Sequence, residues 1–402
     1  MHSALVTDGN ERAALATTRA LGSAGFRVFV ASPTGRSLAG ASRFSAGDFR
    51  VPDPLEDPDA FLAGLAASLE SSGATILLPI SEASLRAVLP ARERFGPTTI
   101  PFPAAPLFDA VSDKARVAER AREIGVATPT IEVAEDAEGL SALAERAGMS
   151  FPLVLKPTRS VVEGSSGRLR TTVSYVRSPA ELRELAPQLS SATFPILVQR
   201  RVVGPGVGVF LLMHKGEVLA RLAHRRLREK PPSGGVSVLR ESVRVTEPLF
   251  SASAELLRSF GWEGVAMVEY KLDRDSGEYH LMEINGRLWG SLQLAIDAGV
   301  DFPTLLVRCA SGEAVAASLD YRIGVRTRWM LGDLDHLLAR LMRTRERLGL
   351  PPGAPGRIGA SLAFLRGFFP PIRDEVFRIN DPAPAFREAA GWLRDSFRLL
   401  GS

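Results

Sequence analysis

Short apolar runs closed by turn residues alternate with helical stretches over the first hundred positions. Residues 4–7 form one such run, stopped by Asp8-Gly9, and the stretch from about 11 to 24 has helical periodicity and ends before Gly25. A second apolar run covers residues 27–31. Strand, turn, helix, strand is the opening of a parallel α/β unit. The pattern continues through a helix at 60–69, a strand at 75–79 and a helix at 82–95. Asp8-Gly9-Asn10 is not a GxGxxG fingerprint, so it reads as a tight turn between strand and helix. Pro97, Pro101, Pro103 and Pro106 then punctuate a connection, after which a helix starts at Ser112 or Asp113 and runs to about Ile124. From Phe151 the chain turns strand-rich, with runs at 153–156, 170–175, 196–199, 208–213, 218–222, 265–271 and 279–284. Helices at 180–189 and 251–260 interrupt them, so the fold class predicted is α/β followed by α+β.

The tail, from about Ala314, has a different texture. Residues 333–348 carry apolar positions at 334, 337, 338, 341 and 342 and stop at Gly349 and Pro351-Pro352, which predicts an amphipathic helix. A Pro/Gly loop follows at 351–356, and a further helix with arginines on one side is expected at 386–400. Such Arg-bearing faces suit packing on the rest of the chain or dimerisation, with a membrane surface as the alternative.

The 402 residues predict two or three domains, and no apolar run is long enough to predict a membrane span. The N-terminus lacks the basic and apolar regions of a signal peptide, and the lone Cys309 excludes an intrachain disulfide or a multi-cysteine zinc site. A reducing cytoplasm is the compartment expected. The net charge of +4 raises the question of nucleic acid. Lysine occurs only at 114, 156, 215, 230 and 271, so 44 of the 49 basic residues are arginines, spread among acids without like-charge blocks. No nucleic-acid partner is therefore expected.

The chemistry concentrates where two strand runs meet. Residues 264–270, ending Val268-Glu269-Tyr270, are joined through a Ser276-Gly277 turn to Tyr279-His280-Leu281-Met282-Glu283-Ile284-Asn285-Gly286-Arg287. This reads as a β-hairpin, and side chains two apart on a strand share a face. Glu283 and Asn285 then lie together beside Glu269, an oxygen-only donor set suited to Mg²⁺, with Arg287 as an adjacent planar cation. A hairpin with a solvated polar face is the competing reading.

The lysines favour the first reading. Lys156 ends the apolar run 151–155 and precedes a small-residue loop that includes Gly164, Ser165, Ser166 and Gly167. Such a loop can bring backbone N–H groups to phosphate oxygens, and a lysine at 4 Å from an anion contributes about 4 kcal/mol at an effective dielectric near 20. Lys114, just inside a helix start, is the second candidate.

Taken in order, these residues resemble the ATP-grasp superfamily of ATP-dependent carboxylate–amine/thiol ligases, over roughly residues 4–306. The resemblance implies an ATP-grasp fold with an N-terminal Rossmann-like pre-grasp domain (1–108), a lid subdomain (109–200), a metal and substrate subdomain (201–313) and a helical C-terminal extension (314–402). By that similarity Glu269, Glu283 and Asn285 hold Mg²⁺ on the phosphates of ATP, and Arg287 stabilises the transferring phosphate. Lys114 and Lys156 match the two ATP lysines, and residues 164–167 match the glycine-rich loop over the phosphates. Residues 196–199, leading through Gln199 and Val202 to Gly204, match the hinge strand against adenine. The family commonly has an acid right after this strand and another after the glycine, where this chain has Arg200 and Gly206. Residues 224–235, with Arg225 as the candidate catalytic cation, resemble a loop facing the active site in one branch of the superfamily; a solvated basic loop is the alternative.

The function implied is an ADP-forming ligase that activates a small-molecule carboxylate as an acyl-phosphate and joins it to an amine. Biotin-dependent carboxylases share the hairpin, but their glutamine-valine-glutamate-histidine continuation is replaced by Leu288-Trp289-Gly290-Ser291. A bicarbonate-using carboxylase-like enzyme and a nucleotide-binding module without turnover remain the alternatives.

Overall fold

Caps fix several of the predicted helices locally. Asp57 accepts from the Ala60 amide to start helix Pro58–Ser72, and Gly73, at φ +63°, ends it in the left-handed region where a Cβ is costly. Of the two N-cap candidates near 112, Ser112 closes the helix Ala105–Ser112. Asp113 caps Lys114–Glu123 by accepting from the amides of Ala115 and Arg116. The computed structural model describes residues 2–144, 151–159, 161–164, 167–170, 173–232, 234–350 and 353–400.

Among the described residues the strands form three main sheets and one hairpin. The N-terminal sheet is parallel, in the order Ser45–Arg50, Arg27–Ser32, Ser3–Val6, Ile76–Leu78. Its edge strand Ser45–Arg50 carries no apolar alternation and half-exposed side chains, which is why no periodicity signalled it. The second sheet is antiparallel, in the order Ile131–Ala134, Ile196–Arg200, Leu153–Pro157, Ser174–Val176. It buries a core of its own, including Leu140, Leu155, Leu182 and Val198.

The third sheet has seven strands, in the order Tyr279–Asn285, Gly264–Leu272, Gly206–His214, Glu217–Lys230, Val236–Ser242, Arg326–Arg328, Ile372–Asp374. Its core is continuous with that of the N-terminal sheet. The segment expected as a basic loop is instead, up to Lys230, the second half of the strand Glu217–Lys230, paired with Val236–Ser242. The dense charge hid this strand. Its cations are matched by acids, Arg225 by Glu241 at 3.2 Å, Arg228 by Asp333 at 2.6 Å and Lys230 by Asp335, so alternation survives without apolar residues.

The tail is likewise more than helical. Besides the helices Met330–Met342, Arg357–Arg366 and Ala383–Leu400, it supplies the last two strands of the third sheet. It is tied to the first helix of the chain, Arg12–Ser23. Arg19 donates to Asp381 at 2.8 Å, and Arg12 pairs with Glu375 while lying 4.0 Å from the centre of the Trp329 ring. Glu375 also pairs with Arg240, whose side chain is fully buried.

Trp329 donates from its indole N–H to Glu388 at 2.8 Å, and burial pushes the Glu388 carboxyl up from 4.5 to about 7. A raised carboxyl binds its proton more tightly in the folded chain, so its contribution is complete below pH 4.5 and is lost as pH rises through 7. Thermal melts should therefore show the wild type losing stability relative to Glu388→Gln between pH 4.5 and 7.

Between the second and third sheets the chain runs through residues 201–205. A Cβ on Gly204 would sit 1.8 Å from the carbonyl oxygen of Leu272, so backbone meets backbone there and only glycine fits. Gly204→Ala is expected to cost about 1–3 kcal/mol through forced separation of the two segments, read as a lowered melting temperature.

Candidate active site

The hairpin Gly264–Leu272 and Tyr279–Asn285 sets Glu269 directly opposite Glu283. Asn285, two positions on, donates its amide to Glu283 at 3.0 Å, and Arg287 donates to the Asn285 amide oxygen at 3.2 Å and to the Leu288 carbonyl at 3.0 Å. The side chains expected on one face are therefore together. The Asp113 cap places Lys114 as the first helical residue, and its ammonium lies 3.7 Å from Glu283. The Lys114 amide also donates to the Thr158 carbonyl, which ties this helix start to the end of the strand carrying Lys156.

Lys156, Glu269, Glu283, Asn285 and Arg287 all line one cleft of about 380 Å³. Its electrostatics are uneven. Burial pushes Glu283 up, but Lys114 and Lys156 outweigh it and hold the carboxyl at about 2. Burial raises Glu269, with Arg226 opposing. Burial also lowers the Lys156 ammonium, against the pull of Glu283 and Glu269. Glu283 therefore stays ionised at any working pH.

Other candidates fall differently. Gln199 is buried and points its amide at the Met282 sulfur, 3.8 Å away, and Val202 is buried just beyond. Arg200, where the resembled pattern has an acid, pairs with Asp273 at 3.2 Å. Gly164 and Gly167 pair across a small hairpin, Val161–Gly164 with Gly167–Arg170, while Ser165 and Ser166 lie outside the described residues.

Arg225 does not reach the cleft. Alternation along Glu217–Lys230 turns it to the opposite side, onto Glu241, and brings its neighbours His224 and Arg226 into the cleft instead. Arg226 bridges Glu229, at 3.1 Å, and Glu269. His224 is buried, and burial together with Arg226 and Arg240 drives its pKa well below 6.5, so it is neutral. Its Nδ1 lies 3.4 Å from the Ser291 hydroxyl, while its buried Nε2 has no hydrogen-bond partner among the described residues. Reading residues 224–230 as a strand would have revealed this pair in the sequence. Arg12, which also lines the cleft, gave no such signal, because it arrives from the N-terminal sheet's first helix. Arg225→Ala is expected to leave ADP formation within about twofold, and Arg226→Ala to lower it at least about tenfold, given typical losses when a residue orienting a candidate metal ligand, here Glu269, is removed.

The donor chemistry fits a magnesium ion. Two carboxylates and an amide oxygen are hard ligands, and among the described residues no cluster of three or more His, Cys, Asp or Glu offers a complete protein cage. Mg²⁺ ordinarily takes one or two carboxylates and completes its shell with water and phosphate oxygens.

Residues 193–332 match a family model described as ATP-grasp in the biosynthetic pathway with Ter operon. Among solved structures, the biotin carboxylase domain of 2-oxoglutarate carboxylase from Hydrogenobacter thermophilus is similar at TM-score 0.63 and 16% identity. The match covers 80% of this chain and 73% of that one, a dimer in complex with MgADP, ADP and bicarbonate. An L-amino acid ligase from Bacillus licheniformis is similar at TM-score 0.59 and 18% identity, covering 77% and 74%. Among curated proteins, the alpha subunit of Arabidopsis thaliana mitochondrial methylcrotonoyl-CoA carboxylase is 23% identical over 198 residues. That stretch is 46% of this chain and about a quarter, 26%, of the subunit's length. With the lysines, the hairpin and the three sheets in the positions described, the chain has the ATP-grasp fold, and residues 193–332 carry the match to an ATP-grasp family model.

Proposed function

We propose that the protein is an ADP-forming ligase that uses ATP and Mg²⁺ to activate a carboxylate as an acyl-phosphate and joins it to an amine. The observation that carries this reading is the convergence of Lys114 and Lys156 on Glu283, itself opposite Glu269 in the same hairpin. Two ammonium groups and a paired carboxylate site make a seat for a metal-bound polyphosphate. The division at 108, 200 and 313 is proposed as the functional one, with Gln199 and Val202 against adenine and residues 164–167 over the phosphates.

Lys114 and Lys156 hold the phosphate oxygens and neutralise their charge. Glu269, Glu283 and Asn285 would hold Mg²⁺, which when bound offsets the charge of the phosphates. Arg287, which pairs with no carboxylate among the described residues, is free to follow charge onto the transferring phosphate, and Arg12 offers a second guanidinium to the substrate carboxylate. Catalysis of this kind rests on positioning and charge stabilisation.

A bicarbonate-using enzyme is the second reading, favoured by the fold likeness to biotin carboxylases. Against it stand Trp289 and Ser291, which occupy the cleft wall where that branch continues differently. ADP release with hydroxylamine as amine surrogate separates the two. A hydroxamate formed from one carboxylate supports the ligase, bicarbonate-stimulated ADP release without hydroxamate supports the carboxylase, and tight ATP binding without ADP leaves a regulatory module.

A further inference from the structure

The helix Arg357–Arg366 is inside out. Its small residues Ala360 and Ala363 line a cavity against the rest of the chain, and Arg228 donates to the Ala363 carbonyl at 3.1 Å. Three of its four large apolar residues face away, Ile358 79% exposed, Leu362 58% and Leu365 54%, while Phe364 packs over the Arg328 guanidinium at 4.2 Å. The spacing i, i+4, i+7 puts these three on one side. Phe368 and Phe369, immediately after the helix, are 58% and 67% exposed. A helix folding only against its own chain would bury that side and expose the alanines, so a contiguous apolar face of this kind marks an interaction surface.

The rim of this face has one sign. From residue 342 to residue 373 the chain carries six arginines, all exposed, and one acid, Glu346. Arg357 and Arg366 sit at the two ends of the helix itself, and neither is ion-paired among the described residues. No helix among the described residues is long and apolar enough to cross a membrane. A short helix with aromatic and aliphatic residues on one side and arginines around them matches a surface that lies in the headgroup layer.

We infer that the segment 342–373 docks the protein on an anionic phospholipid bilayer. Charge decides between this and a second copy of the chain. A two-fold interface sets each patch against itself and would bring arginine rim against arginine rim, whereas an anionic bilayer attracts every one of these cations.

Flotation with vesicles tests this on the full chain. With 30% phosphatidylglycerol in phosphatidylcholine, the bound fraction should exceed that on pure phosphatidylcholine by about tenfold or more, and fall back in 1 M salt, where the Debye length is about 3 Å. L362E/F369E should abolish binding, and R357E/R366E, which alters exposed charges only, should abolish its dependence on lipid charge while leaving the melting temperature unchanged. Equal binding to neutral vesicles overturns the inference. So does absence of binding to both compositions, whether or not sedimentation velocity shows a dimer that L362E/F369E dissociates. The readout is independent of ligase activity, so it stands or falls apart from the proposed reaction.

Discussion

Glu283→Ala is expected to lower Mg²⁺-dependent ADP formation by about 10²–10³-fold, the size of loss seen when one preorganised electrostatic group is removed from a reaction centre. The carboxylate stands between Lys114, at 3.7 Å, and Lys156, and is the one group on which the candidate phosphate lysines and the hairpin converge. Its removal also leaves the two ammonium groups with Glu269 as their remaining nearby carboxylate, so ATP itself should bind at least as well in the absence of metal. The signature is therefore a collapse of kcat with retained nucleotide binding and loss of the magnesium response. Glu283→Gln keeps the volume and the hydrogen bond with Asn285 and should fail in the same way, which separates loss of charge from loss of packing. A rate unchanged in either variant would remove Glu283 from the site.

Glu375→Ala should produce the largest loss of stability of any single change in the tail. Glu375 is buried and pairs with both Arg12 and the fully buried Arg240. Deleting one partner of a buried ion pair leaves an uncompensated charge and costs about 3–5 kcal/mol, an amount comparable with the whole stability of many domains. Desolvation already lowers Arg12 to about 10 and Arg240 well below its usual value, and without Glu375 both would shed protons more readily. Chemical denaturation should show the loss across the whole molecule rather than in the tail alone. Glu375→Gln, which keeps hydrogen-bond acceptance, should recover part of it.

The difference between what was legible in the sequence and what was not follows the range of the interactions. The hairpin around Glu269 and Glu283 could be read because strand alternation and a Ser-Gly turn are local. Lys114 and Lys156 could be read because a cap and a strand end position them. The strand Glu217–Lys230 was hidden because its cations are neutralised by acids that are distant in sequence, Asp333 and Asp335 among them, so charge density imitated a loop. Arg225 and Arg226 are indistinguishable in the sequence for the same reason, since without the strand no alternation separates the two neighbours. The helix Arg357–Arg366 was missed because its apolar residues do not face a core, and the strands Arg326–Arg328 and Ile372–Asp374 because three residues carry no period.

The bonds between the first helix and the tail also impose a timetable on the protein's birth. Arg12 and Glu375 are 363 positions apart, and Arg19 and Asp381 are 362 apart. At roughly 5–20 residues per second of synthesis, the first-made arginines wait about 20–70 s for their carboxylates. Until then the N-terminal sheet carries buried-site cations with nothing to answer them, and the long sheet lacks its final edge strands. A chain that stops short by thirty residues can complete neither. The closing segment thus joins the first helix and the long sheet in one late step, so the two ends of the described fold are completed together.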